Sequence, residues 1–323
     1  MEKNNSTIRI ACVGEAMAEL MLGSDENQAP SLGFAGDTMN TAIYLNRMLG
    51  EASEVSYISV VGQDTLSDRL VRRLKDESVN TSKIRRSSER LIGLYAITTD
   101  QSGERTFSYW RSESAARTLF QEESTEQQYN FDVLSGFDVI FLSAISLAIF
   151  PNTVRMALLA ELARLRNEEQ VSVVFDSNYR AALWESVDVA RETIAAAWRI
   201  TDIALPSIDD EKMLFDDVDE AALLTRFRGY GVVKGALKRG AIGPRSLNDA
   251  VHQSIHESLA QNAALLARDL NVVDTTAAGD SFNAGYLSSI LNGKDEQDAL
   301  QAGHACACRV ISHRGAIIPL DQW

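Results

Sequence analysis

Hydrophobic positions along the chain alternate between two periods. Residues 8–13 form a short continuous apolar run, as a buried strand requires, and a helix is expected from Gly36 to Leu49, opened by a glycine and an aspartate. Val55 to Val61 returns as a strand, and a second helix runs from about Asp64 to Asp76. The pattern then changes. Leu94 to Thr98 and Thr106 to Trp110 flank the turn Asp100-Gln101-Ser102-Gly103-Glu104 and predict a β-hairpin with a long loop. From Val139 the alternation resumes: a strand leads to Pro151, well placed at a helix start, and Val154, Leu158, Leu162 and Leu165 make one apolar stripe at helical spacing. Val171 to Asp176 is a β-branched strand ending in a carboxylate. Ile203 to Leu205 and Val232 to Leu237 are further strands, and helices over about 278–291 and 296–312 close the chain.

Repeated strand-then-helix units predict an α/β fold, a mostly parallel sheet covered by helices on both faces. The stretch from Leu91 to Trp110 does not fit that core, and it predicts strands that leave the main sheet to form a small lid. No repeat, low-complexity tract or interdomain linker interrupts the chain, so one domain over 1–323 is expected, with lid segments near 14–35 and 91–111. In such folds ligands sit at the carboxyl ends of the strands, which directs the search to residues just after them.

Composition narrows the partners. Hydrophobic residues make up 45% of the 323 and charged residues 24%, a globular balance. The net charge of −14 argues against a nucleic-acid partner, because phosphate backbones reward clustered Lys and Arg. An anionic substrate would therefore need local, deliberate positive charge. Residues 1–7 are polar and carry no signal core, and the apolar run 139–150 is broken by Ser143 and Ser146 and too short for a bilayer span. Cys12, Cys306 and Cys308 are too few for a disulfide framework, so a reducing cytoplasm is the expectation.

Chemistry concentrates in Asp274-Thr275-Thr276-Ala277-Ala278-Gly279-Asp280. Small residues at a helix start let backbone N–H groups approach an anion, and an aspartate at the same mouth can take a proton from an attacking hydroxyl. Ordinary helix capping is the competing reading of so short a string. A second string, Gly33-Phe34-Ala35-Gly36-Asp37-Thr38-Met39-Asn40-Thr41, also opens a helix and would alone pass for a plain turn.

Together these strings resemble the two signatures of the PfkB, ribokinase-like carbohydrate kinases. The order of Gly93-Leu94-Tyr95, Gly103 to Phe107, Tyr109-Trp110-Arg111, Asp176 to Arg180, Lys238 to Ala241 and His313 to Pro319 extends the likeness along nearly the whole chain. It is nearest to the branch acting on 2-keto-3-deoxygluconate. The resemblance implies ATP-dependent phosphorylation of that sugar acid at its terminal 6-hydroxyl, with Asp280 as base and Ala277, Ala278 and Gly279 as the anion hole. Gly36, Asp37, Asn40, Tyr95, Tyr109, Arg111 and Arg180 would meet the substrate. Asn178 would reach the nucleotide side, and Lys238, Arg239, Gly240, Ala241 and Gly243 would line ATP. Two departures occur: Ala277 and Ala35 stand where many relatives carry glycine.

Arginine also suits the substrate chemically, since a guanidinium pairs with a carboxylate through charge-assisted, often bidentate hydrogen bonds. Mg²⁺ is expected from phosphoryl transfer. Where related kinases carry an Asn-x-x-Glu motif acting through water, this chain has Ser207-Ile208-Asp209-Asp210, which makes Asp210 the candidate; a capped helix with an acidic first turn explains the same residues. A homo-oligomer, dimer or higher, is also expected, with neither nucleic acid nor membrane as partner. A kinase for another sugar such as fructose, or a non-catalytic sugar-binding protein on the same fold, are the alternatives. There is no Gly-x-x-x-x-Gly-Lys-Ser/Thr string and no Gly-x-Gly-x-x-Gly fingerprint. His252 with His256 lacks the zinc-protease glutamate, and Cys306 with Cys308 suits core packing better than metal.

Overall fold

The computed structural model describes residues 7–22, 29–99, 105–122, 125–268 and 270–323. Its central sheet has five strands in the order Ile203–Leu205, Ser172–Asp176, Val139–Ser143, Ile8–Val13, Ser53–Ile58, and every pair is parallel. Strand residues alternate strictly between two cores. Ala11, Val13, Ile140, Leu142, Val173 and Phe175 face the helices Asn152–Glu168, Val187–Arg199 and Glu220–Tyr230. Ile10, Cys12, Val139, Phe141 and Val174 face Asp37–Leu49, Ala278–Leu291 and Glu296–Ile311. Both faces are thus apolar, which is why these strands read as continuous hydrophobic runs and not as alternating ones.

The predicted stripe of Val154, Leu158, Leu162 and Leu165 is buried throughout. The apolar run 139–150 divides where a single strand was expected to lead to Pro151. Ser143 ends the strand, caps the short helix Ala144–Ala148, and exchanges hydrogen bonds with Ser146 in a capping box. Of the strand expected at Val232 to Leu237, only Ala236–Leu237 forms, with bridges from Gly235 to Ala204 and from Lys238 to Ser207 carrying the sheet edge onward. The region after it holds one long helix, Asp249–Arg268, anchored through Ile255, Leu259 and Ala263.

A second sheet stands apart from the first. Its order is Ser31–Ala35, Met17–Leu22, Leu94–Thr99, Arg105–Trp110, with Met17–Leu22 parallel to Leu94–Thr99 and the outer pairs antiparallel. The hairpin turn expected at residues 100–104 lies outside the described residues. Among the described residues no helix is long and apolar enough to cross a membrane.

Candidate active site

Chain order in the central sheet reverses between Ile8–Val13 and Val139–Ser143. Such a switch point opens a crevice at the carboxyl edge, because the segments leaving the two strands diverge to opposite faces. The predicted residues gather around it. Gly36 precedes the helix Asp37–Leu49 and lies against the loop after the first strand, where a Cβ would sit 2.3 Å from the Glu15 carbonyl oxygen. Only glycine allows that approach. Asp37 then accepts hydrogen bonds from Ser143 Oγ and, at 2.8 Å, from Asn178 Nδ2. Burial raises the Asp37 carboxyl above its ordinary range, and these hydrogen bonds partly oppose the rise.

Opposite lies the start of the helix Ala278–Leu291, with Asp280 in its first turn. Asn40 Nδ2 donates to Asp280 Oδ2 at 2.8 Å, and Thr41 Oγ1 donates to the Asp280 carbonyl at 3.2 Å. The two predicted signatures therefore touch. Burial pushes the Asp280 carboxyl up to about 7; Asp37 and Asp176 add to the rise, while the Asn40 hydrogen bond and Lys238 counter it. Ala277 caps the helix at φ 61°, ψ 16°, a left-handed conformation that glycine adopts freely and alanine does not. The Ala278 amide is already engaged, donating to Thr275 O at 3.2 Å.

A second cluster joins this helix to the next strands. Lys238 Nζ donates to Asp176 Oδ1 at 2.8 Å and to Asn283 Oδ1 at 3.1 Å, and Asn283 Nδ2 returns a bond of 2.6 Å to Asp176 Oδ2. A Cβ on Gly279 would lie 3.6 Å from Lys238 Nζ, so the ammonium stands beside the helix N-terminus. Gly240, Ala241 and Ile242 form a short helical turn, with Gly240 at φ 57° and Gly243 at φ 88°. Arg239 holds that turn by donating to Gly243 O at 3.0 Å and pairing with Glu220 at 3.2 Å. Asp210 accepts from Ser177 Oγ at 3.4 Å and pairs with Arg180 at 3.5 Å. Its carboxyl is raised by burial, with Arg180 opposing.

The second sheet supplies the remaining candidates. Tyr95 donates its hydroxyl to Glu19 and stacks on Tyr109, ring centroids 5.8 Å apart. Tyr109 is exposed and lines a cavity of about 630 Å³ with Leu91, Ile92 and Trp110. Arg111, which follows the sheet, pairs with the buried Glu15, so each of the two candidate arginines already faces a carboxylate of its own chain. Asn178 Nδ2 meets Asp37 directly, a contact that joins the end of strand Ser172–Asp176 to the first helix. Ser143, Asp176, Asn283 and Glu15 were not among the sequence candidates. Three of these follow or end a strand at the carboxyl edge, which is the signal that could have found them.

Known proteins share both the sequence and the shape. The chain is 43% identical to a 2-dehydro-3-deoxygluconokinase of Dickeya dadantii over 319 residues, 98% of each chain. It is 40% identical to the Escherichia coli K12 protein of that name, covering 97% of this chain and 98% of the relative. A crystal structure of 2-dehydro-3-deoxygluconokinase from Thermotoga maritima superposes with a TM-score of 0.77 over 97% of this chain and 95% of that one, at 19% identity, and so shares the fold. A ribokinase II structure from E. coli in complex with ATP and Mg²⁺ superposes equally well, TM-score 0.77, over 96% and 94% of the two chains at 21% identity. The sequence profile of the pfkB family carbohydrate kinases matches residues 7–323, and the chain belongs to that family.

Proposed function

We propose that the protein phosphorylates 2-keto-3-deoxygluconate (2-dehydro-3-deoxygluconate) on its terminal hydroxyl, with ATP as donor. The observation that carries this reading is the Asn40–Asp280 contact, which sets a carboxylate with pKa near 7 at the mouth of a helix N-terminus. A carboxylate raised above its ordinary range holds a proton more tightly and can accept the hydroxyl proton as the oxygen attacks phosphorus. Asn40 orients the carboxylate. The helix start that follows Ala277 directs its dipole at charge developing on the transferred group, and Ala277, Ala278 and Gly279 keep that approach free of bulky side chains.

Asp37, Gly36 and Asn40 serve the sugar hydroxyls; Tyr95, Tyr109, Arg111 and Arg180 serve the acid end. Lys238, Arg239, Gly240, Ala241 and Gly243 form the nucleotide wall, with Asn178 at the junction of the two ligands. Closing the second sheet as a lid over this crevice would exclude water and limit wasteful ATP hydrolysis. Among the described residues no three metal-ligating side chains converge. This suits Mg²⁺, which retains waters and takes one or two carboxylates besides the phosphates, and Asp210 offers such an oxygen near Asp176. When bound with ATP the ion neutralises phosphate charge. A homo-oligomer is part of the same reading.

A panel of 2-keto-3-deoxygluconate, fructose and ribose, followed through coupled ADP release, tests the proposal. The sugar acid should give the highest kcat/KM; equal efficiency on fructose or ribose would leave only the family assignment standing.

A further inference from the structure

The ion pair between Glu15 and Arg111 links the two sheets at the edge of the crevice. Glu15 follows the central strand Ile8–Val13, and Arg111 follows the strand Arg105–Trp110 of the second sheet. Both are withdrawn from water, with side-chain exposures of 1% and 11%. Arg111 Nη2 donates to Glu15 Oε2. Arg111 Nε and Glu15 Oε1 are also buried, yet neither has a hydrogen-bond partner. The pair is thus one bond short of the two-point fork that guanidinium and carboxylate favour. Glycines clear the space around it. A Cβ on Gly93 would lie 2.9 Å from Glu15 Oε1 and 3.2 Å from Arg111 Cβ, and Gly36 abuts the Glu15 carbonyl.

We propose that Glu15 is the positioning residue for Arg111, clamping its guanidinium so that the remaining donors meet the carboxylate of the sugar acid. The proposal rests on reading Arg111 as a carboxylate-binding residue. A long side chain already held in place loses less rotamer freedom when the ligand arrives. The orphaned Nε and Oε1 give the pair a second bond to make, by a small rotation, once substrate and lid are in place. No other group is needed for that step.

Position and charge are separated by two conservative variants that should fold. Glu15→Asp keeps the charge and withdraws the carboxylate by one methylene. Glu15→Gln removes the charge and keeps the acceptor in reach. Steady-state kinetics should show Glu15→Asp raising KM for 2-keto-3-deoxygluconate about tenfold, as expected for a loosened charge-assisted bond, with KM for ATP unchanged and Glu15→Gln affected less. In an Arg111→Ala background Glu15→Asp should add nothing. The proposal is overturned if Glu15→Asp leaves the sugar-acid KM within twofold of wild type, if both KM values rise together, or if its effect persists without Arg111. An Arg111→Ala variant with normal sugar-acid KM would instead overturn the underlying reading of Arg111.

Discussion

The two ends of the crevice handle charge in opposite ways. At the helix Ala278–Leu291, the carboxylates Asp280, Asp37 and Asp176 influence one another, and Lys238 is the cation that faces them. Like charge and burial together leave Asp280 reluctant to ionise. At the second sheet each acid has its own partner: Glu15 has Arg111 and Glu19 has Tyr95. The first arrangement stores electrostatic strain that a proton transfer can use. The second spends its charges on geometry. On the proposed roles, proton transfer and sugar-acid recognition thus fall on different elements, so a change at one leaves the other in place.

The sharpest way to break this division is at Asp280. Asp280→Asn should lower kcat by about a hundredfold to ten-thousandfold, the range for a positioned acid–base group, while KM for ATP stays near normal. Near-normal turnover in a folded variant would remove Asp280 from the chemistry. Arg111→Ala, at the second sheet, and Arg180→Ala, beside Asp210, should behave differently. Each should raise KM for the sugar acid about tenfold to a hundredfold, from the loss of a charge-assisted hydrogen bond, with little change in KM for ATP. Equal rises for neutral sugars would show that the arginines select no anion.

Ala277 sharpens the contrast from the backbone side. Residue 277 sits at φ 61° before the helix begins, where any L-residue pays about 1–2 kcal/mol; Ala277 already bears that cost, and a β-branched valine, rarer still in that region, adds to it. Urea titration should place Ala277→Val below wild type and Ala277→Gly above it by up to about 1–2 kcal/mol, the cost that glycine escapes. An unchanged midpoint for the valine variant would mean the left-handed cap is not kept in solution.

The smallest expected effect is on pH dependence. Because burial raises Asp280 from its ordinary 3.8 to about 7, folding stability attributable to it is lost as pH rises across that window. Thermal melts should therefore show Asp280→Asn gaining on wild type between about pH 4 and pH 7 and holding a constant lead above. In wild type, kcat/KM should climb through the same upper pKa as the base ionises. A lead that shrinks with rising pH would reverse the assigned direction of the shift.

Much of this was legible in advance, for identifiable reasons. The parallel sheet followed from repeated strand-then-helix units, and the place of Asp280 at a helix start from a long, distinctive string. Ser143 was harder: within the run 139–150 its hydroxyl looks like a mere interruption, because a capping box depends on a partner three residues on and on a chain reversal that hydropathy does not encode. The Asn178–Asp37 contact was hidden for a similar reason, since it spans strands whose neighbours only the sheet order determines. Glu15 carries no motif. Gly36 closes on its carbonyl and Gly93 on its carboxylate, approaches that no local pattern shows.

The Asn40–Asp280 contact has a consequence for how the protein is made. Its residues are 240 positions apart, among the most distant pairs the chain brings together. At synthesis rates of about 5–20 residues per second, a ribosome needs roughly 12–50 s to traverse that interval. Throughout it the amino-terminal half can already have its first strands in place, yet the carboxylate that Asn40 orients has not been made. On the proposed role of Asp280, the catalytic carboxylate and the residue that orients it can meet only late in translation.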